Sequence, residues 1–455
     1  MKLKKYLIVF DYTLFLSVMI LSVIGLLFIY SANLNNLTSY AKLPFFLGGG
    51  NVPTNFIKQL LFLVIGLSFL VAIQFFSLRR IKYFGGILYV ICIIGLLLTL
   101  FFPLVKGQRR FELLGISIQF SEFMKIAVIM VLSDFLTNRT KEELNSIKVL
   151  GKALLIVLAP LVLIMLQPDL GTGLVFLPIF LAVCFFAGVN LKYIVSVSIV
   201  GLIAGIIPIT DAINKVFFNG ESDFFNAIQQ PYFLVIFFSG LSLTALIAFL
   251  GSINIFKGIG FRLKKFFFYY SFYALLVIIG FVASYIIEFK LIADYQKDRI
   301  IVFLNPEHDP DFRGYHVIQS KIAIGNGGLF GKGWTKGDMS QNDFIPERDT
   351  DFIYAVVAEE MGFVGSLLLI VLFSIIIIRS FVAVSKSRTY WGGYVVMGIL
   401  SLFIFHILQN IGMCIGLMPI TGIPLPFISY GGTFLITCLI GTGIIIKIQI
   451  DKYEY

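Results

Sequence analysis

The 455-residue sequence predicts an all-α polytopic membrane protein with about twelve transmembrane helices. Hydrophobic residues make up 58% of the chain and charged residues only 13%, whereas an average soluble domain carries about a quarter charged residues. Apolar runs of about 18 residues or more recur along the chain, and such runs are long enough to cross ~30 Å of hydrocarbon. This pattern excludes an ordinary soluble enzyme.

The apolar runs define twelve candidate spans. The first follows the basic stretch Met1–Lys5 and no small-residue cleavage site comes after it, so we expect a transmembrane helix and not a removed signal peptide. The fourth span is marginal in length and would be tilted or supported by its neighbours. In chain order the spans lie near residues 13–30, 58–76, 84–103, 122–137, 150–166, 173–190, 193–209, 231–250, 267–287, 351–378, 393–412 and 429–446.

The distribution of basic residues predicts that both termini face the cytoplasm, because Lys and Arg collect on the inner side of a membrane. With this N-in, C-in orientation, every short inner loop carries Lys or Arg. The net charge of +10 is therefore interpreted as a topology signal, and no nucleic-acid partner is predicted.

Two predicted outer segments are unusual in length or charge. Residues 288–350 form a large extracytoplasmic loop, far longer than a connector, with the glycine-rich run Gly325–Trp334. The loop 104–121 carries Arg110 and two further basic residues, against the positive-inside tendency. These charges either bind an anionic ligand or are simply solvated, and the sequence leaves both interpretations open.

Charged residues at predicted helix ends are the candidates for chemistry. Glu122 and Lys125 share a helix face and are predicted to pair, either as a simple neutralising pair or as part of a site. Asp351 follows Thr350 at the outer start of the tenth span, where the helix dipole favours the charged carboxylate. One interpretation is helix capping alone. A catalytic role would need burial or the neighbouring Glu347 to restore the basicity of Asp351.

Further polar or irregular features fall at membrane depth. Glu359 and Glu360 would lie inside the bilayer, where acidic residues serve as structural partners or as an ion path. Pro419–Gly432 is a hydrophobic segment broken by Pro and Gly, and such backbone must line protein or a water-filled cavity. The four cysteines and three histidines show no metal or redox spacing, and no nucleotide fingerprint is present, so ATP-driven chemistry is not predicted.

The 21-residue run Gly314–Trp334 and seven shorter stretches in the same order resemble one known family, the SEDS proteins (shape, elongation, division and sporulation). The resemblance is closer to the RodA-like members than to the FtsW-like ones and covers nearly the whole chain. The shorter stretches are 167–172, 295–299, 304–310, 344–352, 358–360, 410–413 and 419–432.

Three positions depart from the family pattern. Phe111 stands where the family usually has Trp and Phe120 where it has Pro, and both bear on fine substrate positioning. Asp349 stands where the family has His, which adds a negative charge two residues before Asp351. SEDS proteins commonly have ten spans, so we expect one membrane domain, 1–455, with an inserted helical pair at 210–290.

The resemblance implies a peptidoglycan glycosyltransferase that polymerises lipid II on the outer face of the bacterial cytoplasmic membrane during cell elongation. The reaction joins the 4-hydroxyl of N-acetylglucosamine to C1 of N-acetylmuramic acid, with inversion to a β-1,4 bond and release of undecaprenyl diphosphate. By position, Asp351 matches the essential aspartate of the family, and Glu122 with Lys125 match its paired membrane residues. We expect Asp351 to accept the proton of the attacking hydroxyl.

Cations would offset the charge that builds on the leaving diphosphate. A divalent cation, Mg²⁺ or Mn²⁺, would share that task, although no ligand cluster assigns one. Each cationic side chain could instead hold the outer loop through ion pairs. The substrate-binding candidates are Arg110, Gln119, Ser121, Glu122, Lys125, Arg299, Lys321, Lys332, Glu347, Ser429 and Tyr430.

The resemblance also implies the partners: lipid II, membrane lipids, a class B penicillin-binding protein with transpeptidase activity, and the elongation machinery. Three other functions stay open. A flippase or transporter for lipid-linked precursors would explain Glu359, Glu360 and the broken segment equally well. A scaffold that activates a separate polymerase and an FtsW-like division polymerase are the other two.

Overall fold

A computed structural model shows an almost entirely helical chain arranged in two compact units. One unit comprises Met1–Val189 with Tyr315–Tyr455, and the other comprises Asn190–Gly314. The structure describes residues 10–34, 40–42, 51–101, 111–113, 116–167, 169–252, 261–291, 294–308 and 313–451.

The first unit begins with eight helices and two small antiparallel hairpins, in which β1 pairs with β2 and β3 with β4. Asp11 starts the first helix, because its side chain accepts a hydrogen bond from Leu14 N. The elements are α1 (Tyr12–Ala32), β1 (Tyr40–Lys42), β2 (Asn51–Pro53), α2 (Thr54–Phe75), α3 (Leu78–Thr99), β3 (Phe111–Leu113), β4 (Ile116–Ile118), α4 (Phe120–Thr137), α5 (Lys141–Leu144), α6 (Ile147–Met165), α7 (Leu170–Leu174) and α8 (Phe176–Ala187).

The second unit contains the region 210–290, whose status as an insertion stays a prediction. Ser284 Oγ accepts the N–H of Ile207 at 3.0 Å, and Lys297 pairs with Glu288 at 2.6 Å. Its helices are α9 (Leu191–Ala204), α10 (Ile206–Phe218), α11 (Asp223–Gln229), α12 (Pro231–Ser252), α13 (Phe261–Ile286) and α14 (Asp294–Leu304), with a π-helix at Ile287–Leu291 and a 3₁₀ turn at Pro306–His308.

The chain then returns to the first unit and completes it with five helices. An irregular segment, residues 415–431, separates the last two. The helices are α15 (Arg313–Asn326), α16 (Asp338–Gln341), α17 (Ile353–Lys386), α18 (Tyr390–Cys414) and α19 (Gly432–Asp451).

Within the described residues, ten helices are long and apolar enough to cross a membrane. This confirms a polytopic helical membrane protein. Of the twelve predicted spans, 122–137 corresponds to α4, whose 18 residues include the charged side chains of Glu122, Lys125 and Asp134. The span 231–250 corresponds to α12, in which the apolar stretch is Ile236–Leu250. The exact number of spans and their orientation stay predictions.

The irregular segment 415–431 contains most of the predicted stretch Pro419–Gly432 and is called the broken segment from here on. It is tightly enclosed by small residues of the first unit. A Cβ added at Gly25 of α1 would stand 2.7 Å from Ile428 Cα, and one at Gly171 of α7 only 2.2 Å from the Thr421 carbonyl oxygen. Small residues of this kind let membrane helices approach backbone closely. The segment is therefore packed between α1 and α7, as its irregular backbone requires.

Helix α17 is bent, and its two ends are fixed differently. Gly362 has φ 65° and ψ −160°, which splits the helix into two pieces. Near its C-terminal end, Arg379 donates to both carboxylate oxygens of Asp11 at 3.1 and 2.9 Å. Its N-terminal end, at Ile353, directly follows the turn that contains Asp351.

Candidate active site

Asp351 lies half-buried in a turn that precedes α17. The carbonyl of Glu347 accepts the backbone N–H groups of Thr350, Asp351 and Phe352 at 3.2, 3.1 and 3.3 Å. Because α17 begins at Ile353 without a side-chain cap, Thr350 does not cap the helix, and the dipole interpretation of Asp351 stays a prediction. The Thr350 hydroxyl instead donates to the Glu347 carbonyl at 3.2 Å. The residues before the helix form a tight turn with its own hydrogen bonds.

Asn410 of α18 ties this turn to the broken segment. Its Nδ2 donates to the carbonyl oxygens of Asp351 and Ile423, both at 2.8 Å. Asn410 is fully buried, so the two hydrogen bonds form away from water. The backbone of Asp351 is therefore fixed to the segment by one amide group.

Asp349 ties the same turn to α1 and α2. Its Oδ2 accepts from Asn33 Nδ2 at 3.2 Å and from Asn55 Nδ2 at 2.7 Å. Its backbone carbonyl accepts the N–H of Tyr430 at 2.8 Å. The extra carboxylate that departs from the family pattern thus has partners in two neighbouring helices.

Ser429 and Tyr430 contribute backbone structure to the site. Ser429 is buried, its Oγ accepts the N–H of Leu425 at 2.8 Å, and its carbonyl accepts Gln59 Nε2 at 3.1 Å. These bonds shape the broken segment locally. A substrate contact by either residue stays a prediction, as it does for the exposed Glu347 side chain.

Glu122 and Lys125 form a buried ion pair, which confirms the predicted pairing. Lys125 Nζ lies 2.7 Å from Glu122 Oε2, and the two side chains are 1% and 5% exposed. Lys125 Nζ also lies 3.3 Å from His406 Nε2 and 5.2 Å from the centre of the Phe434 ring. His406 Nδ1 is 3.0 Å from the Pro424 carbonyl oxygen. The pair is thereby connected to the broken segment through His406.

Gln119 and Ser121 flank this pair at the start of α4. Gln119 Nε2 donates to Asp169 Oδ2 at 2.8 Å, and Asp169 Oδ1 caps α7 by accepting the N–H of Thr172 at 3.1 Å. Asp169 is therefore the N-cap of α7. Ser121 Oγ is buried and has no hydrogen-bond partner among the described residues.

The other predicted cations belong to different parts of the chain. Arg110 lies outside the described residues, and Arg299 belongs to α14 of the second unit. Lys321 of α15 extends over Gly416, since a Cβ added there would stand 2.5 Å from Lys321 Nζ. Lys332 bonds to the exposed carboxylate of Asp338, and this hydrogen bond raises the pKa of the lysine. Lys321 therefore lies at the start of the broken segment.

The glycine loop, residues 327–337, fills the break in α17. At the break the carbonyls of Glu359 and Glu360 have no helical partner and accept the N–H groups of Lys332 and Gly333 at 3.0 and 2.9 Å. Beyond the break, Phe363 N donates to a loop carbonyl, that of Gly328, at 2.9 Å. The loop thus supplies the hydrogen bonds that the bent helix lacks.

The carboxylates of Glu359 and Glu360 bind residues 335–340. Glu359 accepts the N–H groups of Met339 and Ser340 at 2.7 and 2.9 Å. Glu360 accepts the Ser31 hydroxyl at 2.6 Å and the N–H of Thr335 at 3.0 Å. Both side chains are buried and act as structural partners, which was one of the two interpretations of these residues.

Gly327→Ala is expected to destabilise the protein by about 1–3 kcal/mol, the usual cost of forcing atoms into packed space. A Cβ at Gly327 would stand 1.9 Å from the Ala358 carbonyl oxygen. Gly325→Ala is the matched control, because a Cβ there meets nothing within 4 Å. Reversible unfolding in detergent mixtures measures both. Equal stability of the two variants would contradict the docking of the loop.

The described residues contain no group of three or more His, Cys, Asp or Glu that could hold a metal ion. The divalent cation stays a prediction.

Sequence reasoning missed His406 and quoted Asn410 only as part of a motif. The two residues are four apart, so they share one face of α18, and both contact carbonyls of the broken segment. The signal that could have found them is this spacing on a helix that directly precedes a Pro/Gly-broken stretch.

The fold and the site define a class: a polytopic helical membrane protein with an aspartate turn and a buried ion pair joined to one irregular segment. The family model described as cell cycle protein, FTSW_RODA_SPOVE, matches residues 11–235 and 224–454. The chain therefore belongs to the FtsW/RodA/SpoVE family, the SEDS proteins.

Curated relatives match the chain over most of its length. Peptidoglycan glycosyltransferase RodA of Treponema pallidum is 34% identical over 97% of both chains. Peptidoglycan glycosyltransferase MrdB of Escherichia coli K12 is 32% identical over 86% of this chain and 84% of its own.

Solved structures show the same fold. A chain from a structure titled as the coordination of polymerization and crosslinking by a peptidoglycan synthase complex covers 98% of this chain at a TM-score of 0.65 and 22% identity, with 99% of its own length matched. Thermus thermophilus RodA matches at a TM-score of 0.56 and 22% identity, over 98% of both chains.

Proposed function

We propose that this chain is a peptidoglycan glycosyltransferase that polymerises lipid II into β-1,4 glycan strands and releases undecaprenyl diphosphate. The observation that carries the proposal is the 34% identity over 97% of the chain to a relative named for this activity. The geometry around Asp351 supports it, since an enzyme that joins two sugars needs a positioned base for the attacking hydroxyl.

Asp351 is the proposed base. An α-linked donor that yields a β bond requires a single inverting displacement, so the acceptor hydroxyl attacks C1 opposite the diphosphate and loses its proton to Asp351. Rigid placement of the base lowers the barrier. The backbone of Asp351 is held by Glu347 on one side and by Asn410 on the other.

Lys321 is the proposed cation for the leaving diphosphate. It is exposed and extends over Gly416, where the broken segment starts. Lys332 is less suited because it is bound to Asp338, and Lys125 is buried against Glu122. We assign to Lys125 a structural role, in which it supports the broken segment through His406.

The same proposal includes location and partners. A multi-pass protein that uses an undecaprenyl-linked precursor would lie in the bacterial cytoplasmic membrane with Asp351 on the outer side. The structural neighbour in a peptidoglycan synthase complex supports a class B penicillin-binding protein as partner. The relatives named RodA and MrdB support a role in the elongation machinery.

The roles of Glu359 and Glu360 weaken the transporter alternative. Residues 335–340 donate hydrogen bonds to both carboxylates. No ion path is therefore needed to explain why these two residues are acidic. Polymerisation of lipid II by the purified chain would exclude the scaffold alternative.

The test uses the purified full-length chain with lipid II in detergent. We expect a ladder of glycan products on a gel and lipid-linked dimers and longer oligomers in mass spectra. A transporter or a scaffold would leave lipid II unchanged, because micelles have no second compartment to fill. Absence of glycan even after addition of a transpeptidase partner would contradict the proposal.

A further inference from the structure

His406 is a buried titratable residue to which the proposed mechanism gives no task. It lies on α18, is 1% exposed, and stacks on the Phe434 ring with centroids 4.6 Å apart. Its two ring nitrogens face different groups, Lys125 Nζ at 3.3 Å and the Pro424 carbonyl oxygen at 3.0 Å. Packing alone would not require a side chain with a polar atom on each edge.

These two neighbours fix one tautomer. A carbonyl oxygen only accepts hydrogen bonds, so Nδ1 must carry the proton that faces Pro424. An ammonium only donates, so Nε2 must present its lone pair to Lys125. The ring is therefore neutral, with a donor toward the broken segment and an acceptor toward the ion pair.

We propose that His406 is a positioning residue that fixes the position of the Lys125 ammonium relative to the broken segment. The ammonium has three N–H donors; it forms an ion pair with Glu122 Oε2 at 2.7 Å, and His406 Nε2 accepts one of its N–H groups. The Phe434 ring, 5.2 Å from Lys125 Nζ, adds a weaker cation–π contact. Without His406, nothing described here would link the pair to the segment by a hydrogen bond.

The link reaches the aspartate turn through consecutive carbonyls. His406 donates to Pro424, and Asn410 donates to Ile423 and to Asp351. A shift of the Lys125 ammonium is thereby transmitted to the segment that also fixes Asp351. The inference deepens the proposed function and rests on it, since the segment that His406 contacts also fixes the backbone of Asp351, the proposed base.

Two substitutions separate the two edges of the ring. In His406→Gln the terminal amide oxygen replaces Nε2 and accepts from Lys125, whereas in His406→Asn the amide N–H replaces Nδ1 and donates to Pro424. We expect kcat for lipid II polymerisation to fall about 10- to 100-fold in His406→Asn, the loss expected for one hydrogen bond to a charged group. His406→Gln keeps the contact with Lys125 but loses the donor to Pro424, and with it the link to the segment, so its kcat should fall by a similar factor. In both variants KM should change less than kcat.

The control is Gln409→Leu. Gln409 Nε2 donates to the Pro419 carbonyl at 2.9 Å, so its loss loosens the same segment without touching the ion pair. We expect this variant to lower the thermal midpoint in detergent without the kcat loss of His406→Asn. Wild-type kcat in either His406→Gln or His406→Asn would overturn the positioning role.

A second measurement is independent of activity. The chain has three histidines, so ¹⁵N-histidine labelling of the full-length protein in detergent gives few signals, and His308 and His316 substitutions assign them. We expect a neutral ring with Nδ1 protonated and Nε2 bare, and an Nε2 shift that changes in Lys125→Met. A ring with Nε2 protonated would overturn the inference. If the wild type makes no glycan, the proposed function fails, whereas the tautomer is still decided by the spectrum.

Discussion

Asp351→Asn should lower the rate of glycan polymerisation by about 10²- to 10⁴-fold, the usual contribution of a positioned general base. The amide has nearly the shape of the carboxylate but cannot take a proton from the attacking hydroxyl. The contacts that hold the turn are made by the backbone of Asp351, through Glu347 and Asn410, so the variant should keep its fold. The measurement is the initial rate with lipid II and purified full-length protein.

Asp343→Asn is the matched control, eight residues before Asp351 in the chain. The Asp343 carboxylate is 69% exposed and pairs with Arg348. Its φ of 60° suits asparagine, and exposed substitutions of this kind usually stay within about 0.5 kcal/mol, or about twofold in rate. If Asp351→Asn polymerises as fast as this control, Asp351 is not the base.

Lys125→Met should destabilise the protein by about 3–5 kcal/mol, because it leaves the Glu122 carboxylate buried without its cation. The Lys125 side chain is 1% exposed, so water cannot replace the lost partner. The double variant Glu122→Gln with Lys125→Met should lose less than the sum of the single changes, since it removes both charges. Reversible unfolding in detergent mixtures measures all three.

The control pair joins Asp134, farther along the same helix, to Lys82 of α3. Lys82 and Asp134 pair at 2.5 Å, with side chains 32% and 40% exposed. Exposed ion pairs contribute about 0–1 kcal/mol, so Lys82→Met should cost far less than Lys125→Met. A comparable loss in both variants would mean that the burial of the Glu122–Lys125 pair carries no special weight.

Local patterns in the sequence were sufficient to predict much of the fold. Apolar runs located the membrane helices, because a helix that faces lipid must be apolar along its whole length. The spacing of Glu122 and Lys125 was sufficient to predict their ion pair, since residues three apart on a helix face each other. Where one stretch of chain decides its own structure, the prediction held.

Contacts between distant segments could not be predicted in this way. The break at Gly362 and the glycine loop depend on each other, because each supplies the hydrogen bonds that the other lacks. Likewise, Asn410 meets Asp351 from a different helix, 59 residues away. A periodic pattern does not show such a contact. The sequence therefore left open that Thr350 caps the helix, whereas Thr350 and Asp351 belong to a separate turn.

The most direct test of the central claim is bond formation in a single turnover with lipid II already bound. Rapid-quench sampling of wild type and Asp351→Asn separates binding from chemistry. We predict equal occupancy by lipid II and a rate of glycosidic bond formation at least about 100-fold lower in the variant. Equal rates of bond formation in the two proteins, at equal occupancy, would contradict the assignment of Asp351 as the group that takes the proton.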